Sequence, residues 1–141
     1  MSTRTFAMIF GIVFLIVGAG GFVPGLTDMH HMSPMDDKIT MTTAFGYELK
    51  MFPVNALHSA VHLLFGIWGI LAARSLGGAR MYFRAVAVIY AVLTVMGLVA
   101  SLQTTFGLIP LYGNDVWLHA VLAIVAAYFG WMNRDTAADR V

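Results

Sequence analysis

Three histidines stand where their side chains could bind a ligand inside a membrane. His58 and His62 are four residues apart in one apolar segment, and His119 lies in another. At about 100° per residue, a helix places His58, His62 and the preceding Asn55 on one face. Neutral imidazoles suit zinc or copper, and an imidazole aimed at an apolar slot between helices can ligate a tetrapyrrole such as heme. The three histidines are therefore candidate cofactor ligands.

The same histidines also have a simpler interpretation. A His or Asn side chain can hydrogen-bond across a helix interface and fix its register, at about 0.6–2 kcal/mol per contact. Thr94, Ser101 and Tyr90 in the third apolar segment are candidate partners. The His-x-x-x-His spacing lacks the Glu of the zinc-peptidase motif, and the absence of cysteine excludes covalently attached heme. We expect structural hydrogen bonds, with ligation of a metal or tetrapyrrole as the alternative.

Polar residues near the start of each histidine segment are predicted to make structural contacts. Asn114 and Asp115 precede His119 and are expected to cap free N–H groups at the start of its helix. Asn55 has a similar place before His58. Counting about 1.5 Å per residue, His58 and His119 lie about 8 Å and about 6 Å below the starts of their segments. The two imidazoles should therefore lie at similar depth on different helices.

A second cluster of candidate ligands lies in the long loop over about residues 24–51. Thioether and imidazole groups together suit copper, with Met favouring Cu(I). The simpler interpretation is a solvated loop in a chain with 10 methionines. The residues of this second candidate metal site are Met29, His30, His31, Met32 and Met35.

Four apolar segments must position these side chains. The chain has 141 residues, of which 60% are hydrophobic and 11% charged, against about 45–50% and about 25% in soluble domains. The segments cover about 5–23, 52–73, 83–102 and 115–132, each close to the ~20 residues that cross a hydrocarbon core. Pro53 is expected in the first turn of the second helix, where a missing N–H costs nothing. We predict an all-α integral membrane fold in which residues 1–141 form one bundle of four transmembrane helices.

The basic residues predict the orientation of this bundle. They lie at the N-terminus, between the second and third segments, and after the fourth: Arg4, Arg74, Arg80, Arg84, Arg134 and Arg140. Because cytoplasmic loops carry the excess of Lys and Arg, both termini should be cytoplasmic and the long loop outside. That loop could form a short hairpin or lid over the helix ends. Leu57-His58 and Leu118-His119 open the second and fourth segments, which indicates a two-fold pseudo-repeat of helix pairs.

Two motifs resemble those of a known family. They are Phe52-Pro53-Val54-Asn55-x-x-His58-x-x-x-His62-Leu63-x-x-Gly66-x-x-Gly69 and Gly113-Asn114-Asp115-x-x-Leu118-His119, with the opening Thr3-x-Thr5-Phe6-Ala7-x-Ile9-Phe10-Gly11. Over nearly its whole length the chain resembles an uncharacterised family of bacterial four-helix membrane proteins, catalogued as domain of unknown function 4383. The resemblance implies four spans in the bacterial cytoplasmic (inner) membrane and no established activity. It places the family's polar positions on Asn55, His58, His62, Asp115 and His119, whereas the Met-His-His-Met loop is not part of the pattern.

Three classes of function fit the sequence to different degrees. A small non-catalytic membrane protein, packing as a structural or accessory subunit against other membrane proteins in a larger complex, fits the size and the glycine-rich spans. The first alternative is an outer-face protein that binds copper, zinc or a tetrapyrrole through His58, His62 and His119. A small transporter or membrane enzyme ranks last, because no nucleophile and base set stands out. With a net charge of +1, nucleic acid is not an expected partner, and the predicted partners are the bilayer and other membrane subunits.

Overall fold

Four helices and a small sheet make up the computed structural model, which describes residues 2–28, 30 and 35–136. The helices are α1 (Thr3–Gly20), α2 (Ala56–Ala72), α3 (Leu76–Leu98) and α4 (Asn114–Ala127), which continues as a π-helix over Tyr128–Met132. The strands are β1 (Thr27–Asp28), β2 (Gly46–Glu48) and β3 (Phe52–Val54), and short 3₁₀ turns cover Asp36–Lys38 and Ala100–Leu102. Helices α1, α3 and α4 with its π-helical end are long and apolar enough to cross a membrane, while α2 is apolar but shorter, at 17 residues. With the composition, these helices indicate a membrane protein.

The start of α2 differs from the prediction. Pro53 lies in β3, opposite Tyr47 of β2, so its predicted place in the first turn of the second helix is wrong. Asn55 is the N-cap of α2 instead, and its side-chain oxygen accepts a hydrogen bond from the backbone N–H of His58 at 2.9 Å. A capping Asn with extended backbone is a stronger start signal than the proline that precedes it.

Helix α3 starts earlier in the chain than the third apolar segment. Ser75 caps it by accepting a hydrogen bond from the N–H of Gly78 at 3.1 Å. Arg80 and Arg84 therefore lie on the helix itself and not in a loop. Hydropathy alone places the boundary too late, because a helix can continue past the hydrocarbon when its end is capped.

The prediction of an all-α chain is incomplete. The long loop and the first residues of the predicted second span, Phe52–Val54, form a three-stranded antiparallel sheet in the order β1-β2-β3. A hairpin is one of the two arrangements that the sequence left open for this loop. Thr42 ties this layer to the α3–α4 connection, because both its N–H and its hydroxyl donate to the carbonyl of Gly107 at 2.8 Å. The end of the bundle that carries these strands is called the sheet end below, and the opposite end, with Arg74, Arg80 and Arg84, the arginine end.

The helices pack as two pairs. Helix α1 packs mainly along α2, and α3 along α4, which is the pairing expected from the repeat; the two-fold relation between the pairs stays a prediction. A Cβ built on Gly66 would lie 2.8 Å from the backbone N of Leu15, and one on Gly69 would lie 2.9 Å from the Cα of Gly11. Gly66 and Gly69 of the first motif therefore lie where the α1 backbone approaches α2.

At the arginine end, a buried carboxylate closes the bundle. Asp135 accepts hydrogen bonds from the N–H of Thr3 at 2.7 Å and from its hydroxyl at 2.9 Å, and it pairs with Arg80 at 3.0 Å. Burial alone would raise the pKa of Asp135, but these hydrogen bonds and the charge of Arg80 outweigh it and hold the pKa below its usual value. The segment after α4 is thereby fixed to α1 and α3.

Candidate metal centre

The three histidines of the apolar segments converge at the sheet end. His58 and His62 of α2 and His119 of α4 are all buried. The ring centroids of His58 and His62 are 4.5 Å apart, and those of His58 and His119 are 6.2 Å apart, so the two helices do bring their imidazoles to a similar depth. One ligand nitrogen from each of the three lies within 4.8 Å of the others.

Local structure places each ring. The Asn55 cap fixes where α2 begins, and the four-residue spacing then stacks His62 one turn below His58. The amide of Asn55 also donates to the hydroxyl of Thr43 at 3.0 Å and to the carbonyl of Leu108 at 2.6 Å. One side chain thus joins the start of α2 to both connections that cover it.

The start of α4 is built differently from the expectation. Gly113, at φ +64°, is the N-cap and supplies no side-chain hydrogen bond, so the prediction that Asn114 or Asp115 caps this helix is wrong. A backbone with positive φ suits glycine at this corner. Asn114 instead donates to the carbonyl of Met51 at 3.4 Å. Asp115 turns inward, and its Oδ2 lies 3.7 Å from Nδ1 of His119.

The expected hydrogen bonds from the histidines to neighbouring helices are not observed among the described residues. Nδ1 of each of the three histidines is buried without a partner, as is Oδ2 of Asp115. The separation of 3.7 Å between Asp115 and His119 is too long for a hydrogen bond. The His58 ring does contact the backbone carbonyl of Pro53. Buried polar atoms without partners are rare and call for an explanation.

The candidate partners in the third apolar segment make no hydrogen bond to the imidazoles among the described residues. Thr94 donates its hydroxyl to the carbonyl of Tyr90, within the same helix, at 2.7 Å. Ser101 is exposed. Tyr90 does reach the cluster, but with the ring, whose centroid lies 4.7 Å from that of His119 in an edge-on arrangement. Phe14 stacks on His62 at 5.6 Å, so aromatic rings flank both His62 and His119.

An apolar cavity reaches the cluster from the side of the bundle. Its volume is about 250 Å³, and it lies between α1 and α4, which make little direct contact. His62 and His119 are its polar lining residues, and exposed side chains such as Val13 and Leu118 form its rim. Because pockets for drug-sized ligands occupy about 300–1,000 Å³, this volume favours a single ion or a small ligand over a tetrapyrrole.

The donor set fits a transition-metal ion. Three imidazoles with one open position recur in zinc sites, and Zn–N bonds of about 2.0–2.1 Å place ligand nitrogens about 3.4 Å apart in tetrahedral geometry. The nitrogens here lie within 4.8 Å of one another, a difference that side-chain rotation can close. Asp115 lies where a carboxylate could bond the second nitrogen of His119 or neutralise part of the ion's charge.

The second candidate site is described only in part. Met29, His31 and Met32 lie outside the described residues. His30 is 90% exposed, and its Nδ1 bonds the carboxylate of Asp28. This hydrogen bond from His30 holds the pKa of Asp28 below its usual value. Met35 precedes the 3₁₀ turn at Asp36–Lys38, and nothing in the described part of the chain brings His30 and Met35 to the three buried histidines.

A buried carboxylate in the sheet-end loops was missed by sequence reasoning. Oδ1 of Asp36 accepts hydrogen bonds from the hydroxyls of Tyr47 and Tyr112, each at 2.6 Å. Burial and then the bonded Asp36 raise the pKa of Tyr112. The three residues are far apart in sequence and lie in no periodic segment, so no spacing signal could have joined them.

Comparison with known proteins adds the family. Neither the curated proteins nor the solved structures gave a match. The family profile described as "Domain of unknown function (DUF4383)" matches residues 4–132. This range includes α1 from its second residue onward, the other three helices and each of the three buried histidines. The chain belongs to this family of unknown function.

Proposed function

We propose that this protein is a non-catalytic membrane protein that holds a transition-metal ion, zinc or copper, on His58, His62 and His119. One observation carries the proposal. Three buried imidazoles from two helices have ligand nitrogens within 4.8 Å of one another, and Nδ1 of each lacks a hydrogen-bond partner among the described residues.

The cost of burying polar atoms without partners favours a bound ion over three imidazoles whose Nδ1 atoms make no hydrogen bond. A buried polar atom left without a partner costs about 1–3 kcal/mol. A purely structural role would therefore make the cluster a net cost, since the described residues offer it little hydrogen bonding in return. Coordination uses the nitrogen lone pairs, and Asp115, 3.7 Å from Nδ1 of His119, supplies negative charge beside the cation.

The proposed setting is a four-span bundle in the bacterial cytoplasmic membrane. Because the basic residues concentrate at the arginine end, we place that end and both termini in the cytoplasm. Helix α2, with 17 residues, spans about 26 Å at 1.5 Å per residue, and β3 continues it toward the surface. The ion would then lie near the outer face, beneath the sheet.

Metal analysis of the purified chain tests the proposal. Protein purified in mild detergent, stripped with chelator and incubated with Zn²⁺, Cu²⁺ or Cu⁺ should retain about one ion per chain after desalting. His62→Gln and His119→Gln should each lower this occupancy. His30→Gln, which changes an exposed histidine of the second candidate site, separates the two sites. Loss of the ion in His30→Gln with full retention in His62→Gln and His119→Gln would assign the ion to the loop and refute the proposal.

Thermal unfolding supplies a second readout. An ion at a concentration 100 times its dissociation constant stabilises the folded state by about 2.7 kcal/mol, and the two variants should lose this gain while staying folded. Equal occupancy in the wild type, His62→Gln and His119→Gln would refute ligation. An intense Soret absorption band in the chain as isolated would instead support a tetrapyrrole.

The accessory-subunit role stays a second candidate. The exposed apolar side chains on the outer faces of the spans suit another membrane protein as well as they suit lipid, so they do not favour this role over ion binding. Isolation from native membranes in mild detergent tests it. A stoichiometric partner that persists through two chromatographic steps would support the role, and a lone chain would count against it.

A further inference from the structure

At the arginine end, on the face opposite the α1–α4 cavity, we propose a binding site for an anionic phospholipid. Its phosphate would lie among Arg80, Arg84 and Arg134, and one acyl chain would follow an alanine-lined groove between α3 and α4. The proposal is independent of the metal centre, because the two sites share no residue.

The headgroup part is a basic cavity. It has a volume of about 510 Å³ and is lined by the three arginines, Gly130, Trp131 and Asn133, among others. Arg80 already pairs with Asp135 at 3.0 Å. Among the described residues, one carboxylate therefore offsets the three guanidinium groups that line the cavity, which leaves an excess of positive charge. Planar guanidinium groups bind phosphate through paired hydrogen bonds.

The π-helix orients one of these arginines. Over Tyr128–Met132 the backbone widens, and the N–H of Asn133 donates to the carbonyl of Tyr128 at 2.9 Å. Gly130 accepts from Nε of Arg84 at 2.9 Å, and the Arg84 guanidinium carbon lies 5.8 Å from the centre of the Trp131 ring. No described residue takes the terminal nitrogens of Arg84, which therefore remain available for an anion. A π-helical turn at a ligand site is a common association.

The acyl-chain part is a groove of about 320 Å³ on the face of α3 and α4. It is lined only by apolar side chains, namely Ala87, Val88, Ala91, Ala123, Ile124, Ala127 and Trp131. The small methyl groups of the alanines leave a channel between the larger neighbours. A polar ligand would gain nothing from such a channel, whereas a hydrocarbon chain would fill it.

Trp131 joins the two parts, because it lines both the basic cavity and the groove. Trp131 is 55% exposed and Tyr128 47% exposed, as is typical of aromatic residues at the headgroup level of a membrane. A free phosphate would use only the cavity. An amphiphile with an anionic head and an apolar tail uses both, and basic pockets between helices at this level are suited to anionic lipid headgroups.

Native mass spectrometry of the full chain tests the proposal. The protein is released from detergent containing equal amounts of phosphatidylglycerol and phosphatidylcholine, and we expect selective retention of phosphatidylglycerol. Arg84→Gln and Arg134→Gln should each weaken this binding about fivefold, the effect of one basic residue near an anionic headgroup. Arg74→Gln is the matched control, since Arg74 is exposed at the same end and lies outside the cavity.

Two further measurements test the groove and distinguish a lipid headgroup from a free anion. Ala91→Leu fills the groove and should lower retention of the lipid, while Ala19→Leu, an exposed alanine on α1, should leave retention unchanged. Circular dichroism checks that each variant stays folded. Equal retention of the two lipids would overturn the proposal, as would binding that is indifferent to Arg84→Gln and Arg134→Gln. Displacement of phosphatidylglycerol by millimolar inorganic phosphate would assign the cavity to a free anion.

Discussion

The close contact between α1 and α2 makes one substitution especially informative. A Cβ on Gly66 would lie 2.7 Å from two side-chain carbons of Leu15 and 2.8 Å from its backbone N. The Leu15 side chain can rotate away, but the backbone cannot. Since ordinary contacts begin at 3.4 Å, the Gly66→Ala substitution forces α1 to retreat by roughly 0.6 Å, the difference between 3.4 and 2.8 Å.

The magnitude follows from two opposing terms. Alanine is favoured over glycine in a helix by about 1 kcal/mol, and overpacking of a close interface costs about 1–3 kcal/mol. Gly77→Ala is the matched control, because Gly77 also lies in a helix and a Cβ there meets nothing within 4 Å. Gly77 lies in the first turn of α3, where the propensity gain does not exceed that of a helix interior. The difference between the free energies of unfolding of the two variants is therefore a lower bound on the steric cost of about 1–3 kcal/mol.

Reversible unfolding in mixed micelles, followed by circular dichroism as the denaturing detergent is increased, measures both variants. Gly66→Ala should unfold at a lower detergent fraction than the wild type, and Gly77→Ala at an equal or higher fraction. Retreat of α1 should also loosen Phe14 against His62, whose rings stack at 5.6 Å, and so weaken metal binding. If Gly66→Ala proved as stable as Gly77→Ala, the described packing of α1 on α2 would be wrong.

Three further predictions concern the sheet end. Asn55→Ala removes a helix cap and two amide hydrogen bonds and should cost about 2–4 kcal/mol in unfolding free energy. The control Ser75→Ala removes a cap alone and should cost about 1 kcal/mol. Equal losses in the two variants would contradict the added role of the Asn55 amide. Tyr112→Phe should cost about 1.5–3 kcal/mol in unfolding free energy, because Asp36 loses one of its two hydroxyl donors among the described residues. An unchanged unfolding curve would contradict this role of Tyr112. Burial raises the pKa of Glu48, so the folded state binds this proton more tightly than the unfolded chain. Stability should therefore rise as pH falls from neutral through that raised pKa toward the unfolded value of 4.5. Glu48→Gln should remove this rise. If the melting temperatures of the wild type and Glu48→Gln changed in parallel with pH, the prediction for Glu48 would be refuted.

The convergence of the three histidines could be predicted from the sequence because helix geometry is local and regular. Four residues place His58 and His62 on one face, and the rise per residue sets the depth of His119. His58 and His119 lie at a similar depth although α2 begins later than expected, since β3 leads directly into the Asn55 cap. What the sequence could not supply is whether the imidazoles find partners, because that depends on side chains from other helices.

The sheet-end loops show the opposite case. Strands of two or three residues are too short for a periodic signal. The Asp36 carboxylate meets Tyr112, a residue 76 positions away, and only the folded chain brings them together. Gly113 is the N-cap in a conformation with positive φ. The sequence Gly-Asn-Asp permits this cap, but it equally permits capping by Asn114 or Asp115.

The histidines lie on both helix pairs, so the proposed ion would link the two pairs. Each pair, α1 with α2 and α3 with α4, is packed closely, whereas α2 and α4 make little contact and the α1–α4 seam contains the cavity. His58 and His62 belong to one pair and His119 to the other. An ion coordinated by all three would therefore tie the pairs together across the seam that packing leaves weakest. The same polar groups that are costly in a membrane helix when alone would then add a cross-link between α2 and α4, beside the aromatic core that already joins the two pairs through α3.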